Sequence, residues 1–218
     1  MANTLTAPAG LQHLLRLQLR PHEDLHPSWL PPTWPGRWRR WQSLGPAGRS
    51  VLATWLRNGL PDLDCGFDSP RKRLLLIDGR SLRRLGIYCG LALHARWLGD
   101  RDALGAQLRR QARRIDDDAV DFVRHRLPQP SAFRVDPAPL HERPIRAGRV
   151  VVDRGYRLLQ AVMASEGEAV LAHLQRKLPR RAAALRPLSL QPHQLAQLDE
   201  LMLMCIVPER LPQWDWLT

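Results

Sequence analysis

Ser81 to Trp97 reads SLRRLGIYCGLALHARW, and this stretch decides the fold class. Leu82, Leu85, Cys89, Ala92 and Leu93 recur at helical spacing and form one apolar stripe. Ile87, Leu91 and Leu98 form a second, so the helix is expected to be buried on two sides. Ser81 or Asp78 is placed to cap its start. A helix of this kind needs apolar partners on both flanks, and the rest of the chain supplies them.

On the N-terminal side, Leu11 to Leu19 is a short amphipathic piece stopped by Pro21. Residues 21–46 are rich in Pro and Trp, with prolines at 27, 31, 32, 35 and 46. These forbid a long helix and leave an irregular segment pinned by Trp29 and Trp34, with one helical turn around Arg37 to Trp41. Arg49 to Asn58 is helical, with Val51, Leu52, Trp55 and Leu56 on its inward face, and Asn58-Gly59 forms a left-handed stop.

On the C-terminal side, Leu104, Leu108 and Ala112 mark a helix over Asp102 to Arg114. Asp116, Asp117 and Asp118 place negative charge at the start of the next, which turns Ala119, Phe122 and Val123 inward. Residues 127–148 hold five prolines and are the best place for a sub-boundary within one domain spanning 1–218. Arg149 to Lys177 is one long helix or two broken near Gly167. Pro192 to Val207 is the last helix, with Leu195, Leu198, Met202 and Cys205 inward and Pro208 as its stop. No period-two alternation is sustained. The expected class is all-α: one compact domain of roughly seven mostly orthogonal helices with Pro-rich irregular segments.

The chain of 218 residues carries a formal charge of +12, and its only lysines are Lys72 and Lys177. Arginine therefore carries the basicity. Together with abundant Ala, Leu, Gly and Pro, it has the bias of a GC-rich genome; it also suits an acidic partner, a nucleic acid or an anionic membrane surface. Three cysteines with no close pair fit a reducing compartment rather than a disulfide framework. Met1 to Gly10 lack the basic start and apolar run of a secretory leader, and no apolar run reaches bilayer length.

His22-Glu23-Asp24-Leu25-His26 matches the H-E-x-x-H spacing by which one helix face offers two histidines to zinc and a glutamate to water. Pro21 and Pro27 leave that helix about one turn long, and Asp24 sits where an apolar residue belongs. The stretch is read as a surface turn. His94 is read as a satisfied core histidine and His173 as facing solvent. Phosphate-cradling glycine loops and a nucleophile elbow are missing from the sequence. No catalytic, cofactor-binding or metal-ligating residue is named, so the expected job is to bind proteins.

Arg37-Trp38-Arg39-Arg40-Trp41 alternates cations with aromatics. Such a run stacks on bases, sits at a lipid interface, or forms an arginine-tryptophan hot spot for a protein. It is also what two half-buried tryptophans flanked by solvated arginines look like. By physical type, Trp29, Trp38, Arg39, Arg40 and Trp41 are the candidate protein-binding residues.

His26-Pro27-Ser28-Trp29-Leu30-Pro31 resembles the HPxWLP signature near the start of the K component of type III secretion sorting platforms, the SctK/YscK-like family. The order that follows is also similar: Gly59-Leu60-Pro61, Phe67, Leu74-Leu75-Leu76, then a helix with Leu85-Gly86 and Gly90-Leu91. Gly155-Tyr156-Arg157-Leu158-Leu159, Arg176-Lys177-Leu178-Pro179-Arg180 and the Trp-rich end complete it, while Leu127 to Gly148 departs from it. The resemblance implies a helical, non-enzymatic adaptor of the injectisome at the cytoplasmic face of the inner membrane. Its partners would be the cytoplasmic domain of the inner-membrane ring protein and the Q-type pod protein, with the L-type stator and the ATPase reached indirectly. It implies no cofactor. The alternative from the residues alone is a basic nucleic-acid-binding helical module.

Overall fold

The computed structural model describes residues 8–34, 40–64 and 66–217. Among these the chain is all-α, with twelve α-helical segments and no strand. They are α1 (Pro8–Leu19), α2 (Pro46–Asn58), α3 (Pro70–Arg73), α4 (Gly79–Ala92), α5 (Ala103–Arg113), α6 (Ala119–His125), α7 (Ala138–Glu142), α8 (Ala147–Ala164), α9 (Glu168–Lys177), α10 (Arg180–Ala183), α11 (Pro192–Asp199) and α12 (Val207–Arg210). Short 3₁₀ turns join them, and a π-helical stretch, Glu200–Ile206, runs between α11 and α12. The chain divides into two compact units: Met1–Leu82 with Met163–Arg186, and Arg83–Val162 with Pro187–Thr218.

In the first unit, the proline-rich stretch makes 3₁₀ turns at Pro21–Glu23, Pro27–Trp29 and Trp41–Ser43, the first two opening on proline, whose missing N–H is not needed there. Leu25, Leu30, Leu52 and Leu56 are buried together, with Trp29, Trp34, Trp41 and Leu44 packed against them. Leu74, Leu75, Leu76 and Ile77 are at most 1% exposed, and Phe67 is 2% exposed. The left-handed stop expected at Gly59 is not formed. Its φ is −99°, and its N–H is shared between the carbonyls of Trp55 and Leu56, which closes the helix right-handed. Positive φ occurs at Gly167 (116°), where α8 and α9 separate, a backbone region nearly confined to glycine.

In the second unit, α4 and α8 approach to backbone contact. A Cβ on Gly90 would lie 2.2 Å from the Val151 carbonyl oxygen, and one on Gly155 would lie 1.9 Å from that of Gly86. These glycines are there because any side chain would separate the helices. Asp78 caps α4, accepting from the N–H groups of Arg80 and Ser81, and Asp102 caps α5 through the Gly105 N–H. Asp118 precedes α6 but does not cap it; its carboxylate accepts a two-bond fork from Arg210 at 2.8 Å each. Asp116 instead accepts from Arg84 and from the Tyr88 hydroxyl.

Residues 127–148 lie within this second unit. The amides of Gln194 and Gln197 pin the stretch by bonding the Ala132 backbone on both sides, and Leu140 from α7 is buried. Pro208 does not end the last helix but sits in the first turn of α12. It has no N–H to donate and crowds the preceding turn, and the widened π-turn ahead of it relieves that clash. The wider turn rotates the face: Ile206 and Val207 are buried, Cys205 is half-buried and Met204 is 69% exposed.

Candidate functional site

The HPSWLP segment does not lie on the surface as a free motif. It is tied to the Arg176–Arg180 segment about 150 residues later. The His26 N–H donates to the Arg176 carbonyl at 3.0 Å, and the Trp29 indole N–H donates to the Leu178 carbonyl at 2.9 Å. The Arg180 N–H donates to the Ser28 hydroxyl at 2.8 Å, and that hydroxyl lies 2.8 Å from His26 Nδ1. The Arg176 guanidinium stacks on the Trp29 ring, 4.2 Å from its centre.

Beneath this clasp lies a charged centre that sequence reasoning missed. Lys177, 2% exposed, gives its three protons to Asp24, the Leu75 carbonyl and the Ile77 carbonyl, each at 2.8 Å. Asp24 accepts in addition from the Gly79 N–H at 3.2 Å and from Arg16 at 3.4 Å. Arg16 also reaches the Leu76 carbonyl. The end of the Leu74–Leu76 turn thus has its carbonyls met by cations, and the start of α4 has an N–H met by Asp24. Burial opposes the Asp24 charge, yet Lys177 and Arg16 hold its carboxyl below the usual range. Burial also pulls the Lys177 ammonium below its ordinary value, against the attraction of Asp24. The one signal available was that Asp24 spoiled the H-E-x-x-H pattern.

That pattern is not built as a zinc helix. His22 is buried, not on a surface turn, and meets the edge of Trp41 at 5.3 Å, while His26 caps the Pro27–Trp29 turn by accepting from the Ser28 N–H. Among the described residues, no group of three His, Cys, Asp or Glu side chains could hold a metal ion. His94 is a core histidine. Its Nε2 faces Arg154 Nη1 at 2.7 Å, which can only donate, so Nδ1 carries the proton and gives it to the Gly90 carbonyl at 2.7 Å. Burial, with the Arg154 charge, pushes its pKa down to about 4. His173 does not face open solvent: it is half-buried against the Pro61 carbonyl. Burial raises the Cys89 thiol to about 12, so it is an inert core group.

Of the five candidate contact residues, Trp38 and Arg39 lie outside the described residues. Trp29 is half-buried in the clasp, Trp41 is half-buried against His22, and Arg40 is exposed. Of the run itself, Arg40 and Trp41 are the described residues.

The exposed apolar surface lies on α2 instead. Leu52 and Leu56 turn inward as expected, but Val51 is 70% and Trp55 51% exposed. Together with Pro31, Trp34, Leu44 and Leu52 they line an open groove of about 670 Å³. Apolar positions at 51, 52, 55 and 56 span an arc of about 140°, an ordinary width for a core face, and packing covers only its 52/56 edge. α1 also exposes Leu11, Leu15 and Leu19 at one-turn spacing. No helix among the described residues is long and apolar enough to cross a membrane. Comparison of the chain with known protein families, with curated proteins and with solved structures finds no match.

Proposed function

We propose that the protein is a non-enzymatic adaptor of a bacterial type III secretion injectisome. It would join the cytoplasmic domain of the inner-membrane ring protein to the Q-type pod protein, at the cytoplasmic face of the inner membrane. Through the pods it would meet the L-type stator and the ATPase. The observation that carries this reading is the clasp. The two segments that best carry the resemblance, His26 to Pro31 and Arg176 to Arg180, are distant in sequence yet bonded to each other in one place. Two separate chance matches have no reason to meet. The exposed α2 surface supports a role in binding, as large exposed apolar residues beside a groove mark contact sites.

The test is co-purification of the tagged protein from a cell carrying a complete type III secretion system. Recovery of the pod protein, stator and ATPase is the expected result. Recovery of nucleic acid that persists above about 150 mM salt, without secretion components, would reject the adaptor and favour a basic nucleic-acid-binding module.

A further inference from the structure

We infer that Arg176 and Arg180, gathered on the Trp29 ring, are a binding site for a phosphate monoester dianion. The guanidinium carbons lie 4.2 and 5.7 Å from the centre of the same indole. Arg180 is exposed and Arg176 half-buried. Among the described residues, neither guanidinium gives a hydrogen bond or meets a carboxylate. Other arginines placed on rings are spent: Arg210, over Phe122, forks to Asp118, and Arg96, over Trp97, gives a proton to the Val135 carbonyl. Two planar donor forks left unspent on one ring are what a tetrahedral dianion takes.

The clasp supplies no counter-charge of its own. His26 to Leu30 and residues 169–198 hold no Asp or Glu, while the second stretch holds Arg176, Lys177, Arg180, Arg181 and Arg186. Asp24, close by in the chain, is already engaged by Lys177, Arg16 and the Gly79 N–H. Burial, and after it the Arg180 charge, pulls the Arg176 guanidinium below its ordinary value. A bound anion relieves that repulsion. A carboxylate fills one fork, whereas a phosphate monoester brings three oxygens and about two charges.

The backbone is already set for binding. Trp29 gives its indole N–H to the Leu178 carbonyl, Ser28 accepts the Arg180 N–H, and Pro179 sits between them. Both arginine stems leave a fixed backbone, so binding has little more than the two guanidiniums to order. The chemistry is the same whichever assembly the chain joins.

The test uses the full chain at constant ionic strength, with chloride as the balancing anion. Glycerol 3-phosphate is titrated by isothermal calorimetry, and binding to vesicles of phosphatidylcholine with phosphatidic acid is read by flotation. Glycerol 3-phosphate should bind saturably, and dimethyl phosphate, a monoanion, at least about tenfold more weakly. Arg180→Gln and Arg176→Lys should each weaken glycerol 3-phosphate by about tenfold or more, with circular dichroism unchanged; the second keeps the charge and loses the fork. Arg101→Gln, which removes an exposed charge from the second unit, should leave the affinity as it is. Vesicle binding that fails in the same two variants supports the site with a lipid headgroup as the source. No vesicle binding, or vesicle binding that both variants keep, supports it with a soluble phosphate as the source. No saturable binding of glycerol 3-phosphate, equal binding of dimethyl phosphate, unchanged binding in either clasp variant, or an equal loss in Arg101→Gln overturns the inference.

Discussion

Replacing Lys177 by Met should destabilise the first unit by about 4 kcal/mol at pH 7. The methionine keeps the stem that packs in the core and removes the charge. Three bonds of 2.8 Å are lost at once, to Asp24 and to the Leu75 and Ile77 carbonyls. Removing one partner of a buried ion pair costs about 3–5 kcal/mol, because the other charge is left behind. Asp24 has an escape, which is to take up a proton. Protonating at pH 7 a carboxyl that titrates near 3.9 in an unfolded chain costs about 1.4 kcal/mol per unit of difference, so the electrostatic part is limited to about 4 kcal/mol. Arg16, 3.4 Å away, softens the loss, while the two stranded carbonyls add about 1 kcal/mol each. The escape has a signature. At pH 5.5 the proton is easier to add, so the penalty should shrink by about 2 kcal/mol. Adding Asp24→Asn to Lys177→Met should restore part of the stability at pH 7. Urea unfolding gives the total, and amide exchange at Leu75 to Ile77 gives the local loss. A loss below about 1 kcal/mol, or a double variant no more stable than Lys177→Met alone, would show that the pair does not hold this unit together.

His94 should make the protein acid-sensitive: its pKa near 4 lies below that of the unfolded chain, so the stability it contributes is complete above about pH 6.5 and is lost as pH falls toward 4. The loss is about 3 kcal/mol in wild type, and His94→Gln should flatten this limb in unfolding titrations between pH 7 and 4.5; parallel limbs would refute it. Gly90→Ala should cost about 3 kcal/mol, because its Cβ would lie 2.2 Å from the Val151 oxygen; a denaturation midpoint equal to wild type would contradict the close α4–α8 contact. Gly167→Ala should cost about 1–3 kcal/mol through its φ of 116°, with the loss read as a lower thermal midpoint. Trp29→Phe removes the bond to the Leu178 carbonyl and should cost about 1 kcal/mol by urea unfolding, with faster amide exchange at residues 176–180.

What the sequence determined by itself was local. Apolar spacing placed α4, α5 and α6 and their inward residues, such as Leu85, Leu108 and Phe122, because helical periodicity is written residue by residue. Proline spacing marked 21–46 as irregular, since each proline removes a donor and restricts its neighbours wherever the chain goes. The tertiary structure decided what depends on partners far along the chain. Asp24 looked like a flaw in a metal motif until Lys177 arrived beside it from 153 residues away. Trp29, read as a pin of the irregular segment and as a contact candidate, found the acceptor for its indole N–H in the Leu178 carbonyl, far along the chain. Val51 and Trp55 looked like core until packing used only the Leu52 and Leu56 side of α2. Periodicity says that a helix has an apolar arc, but the width of the neighbour that covers it decides how much of the arc stays outside.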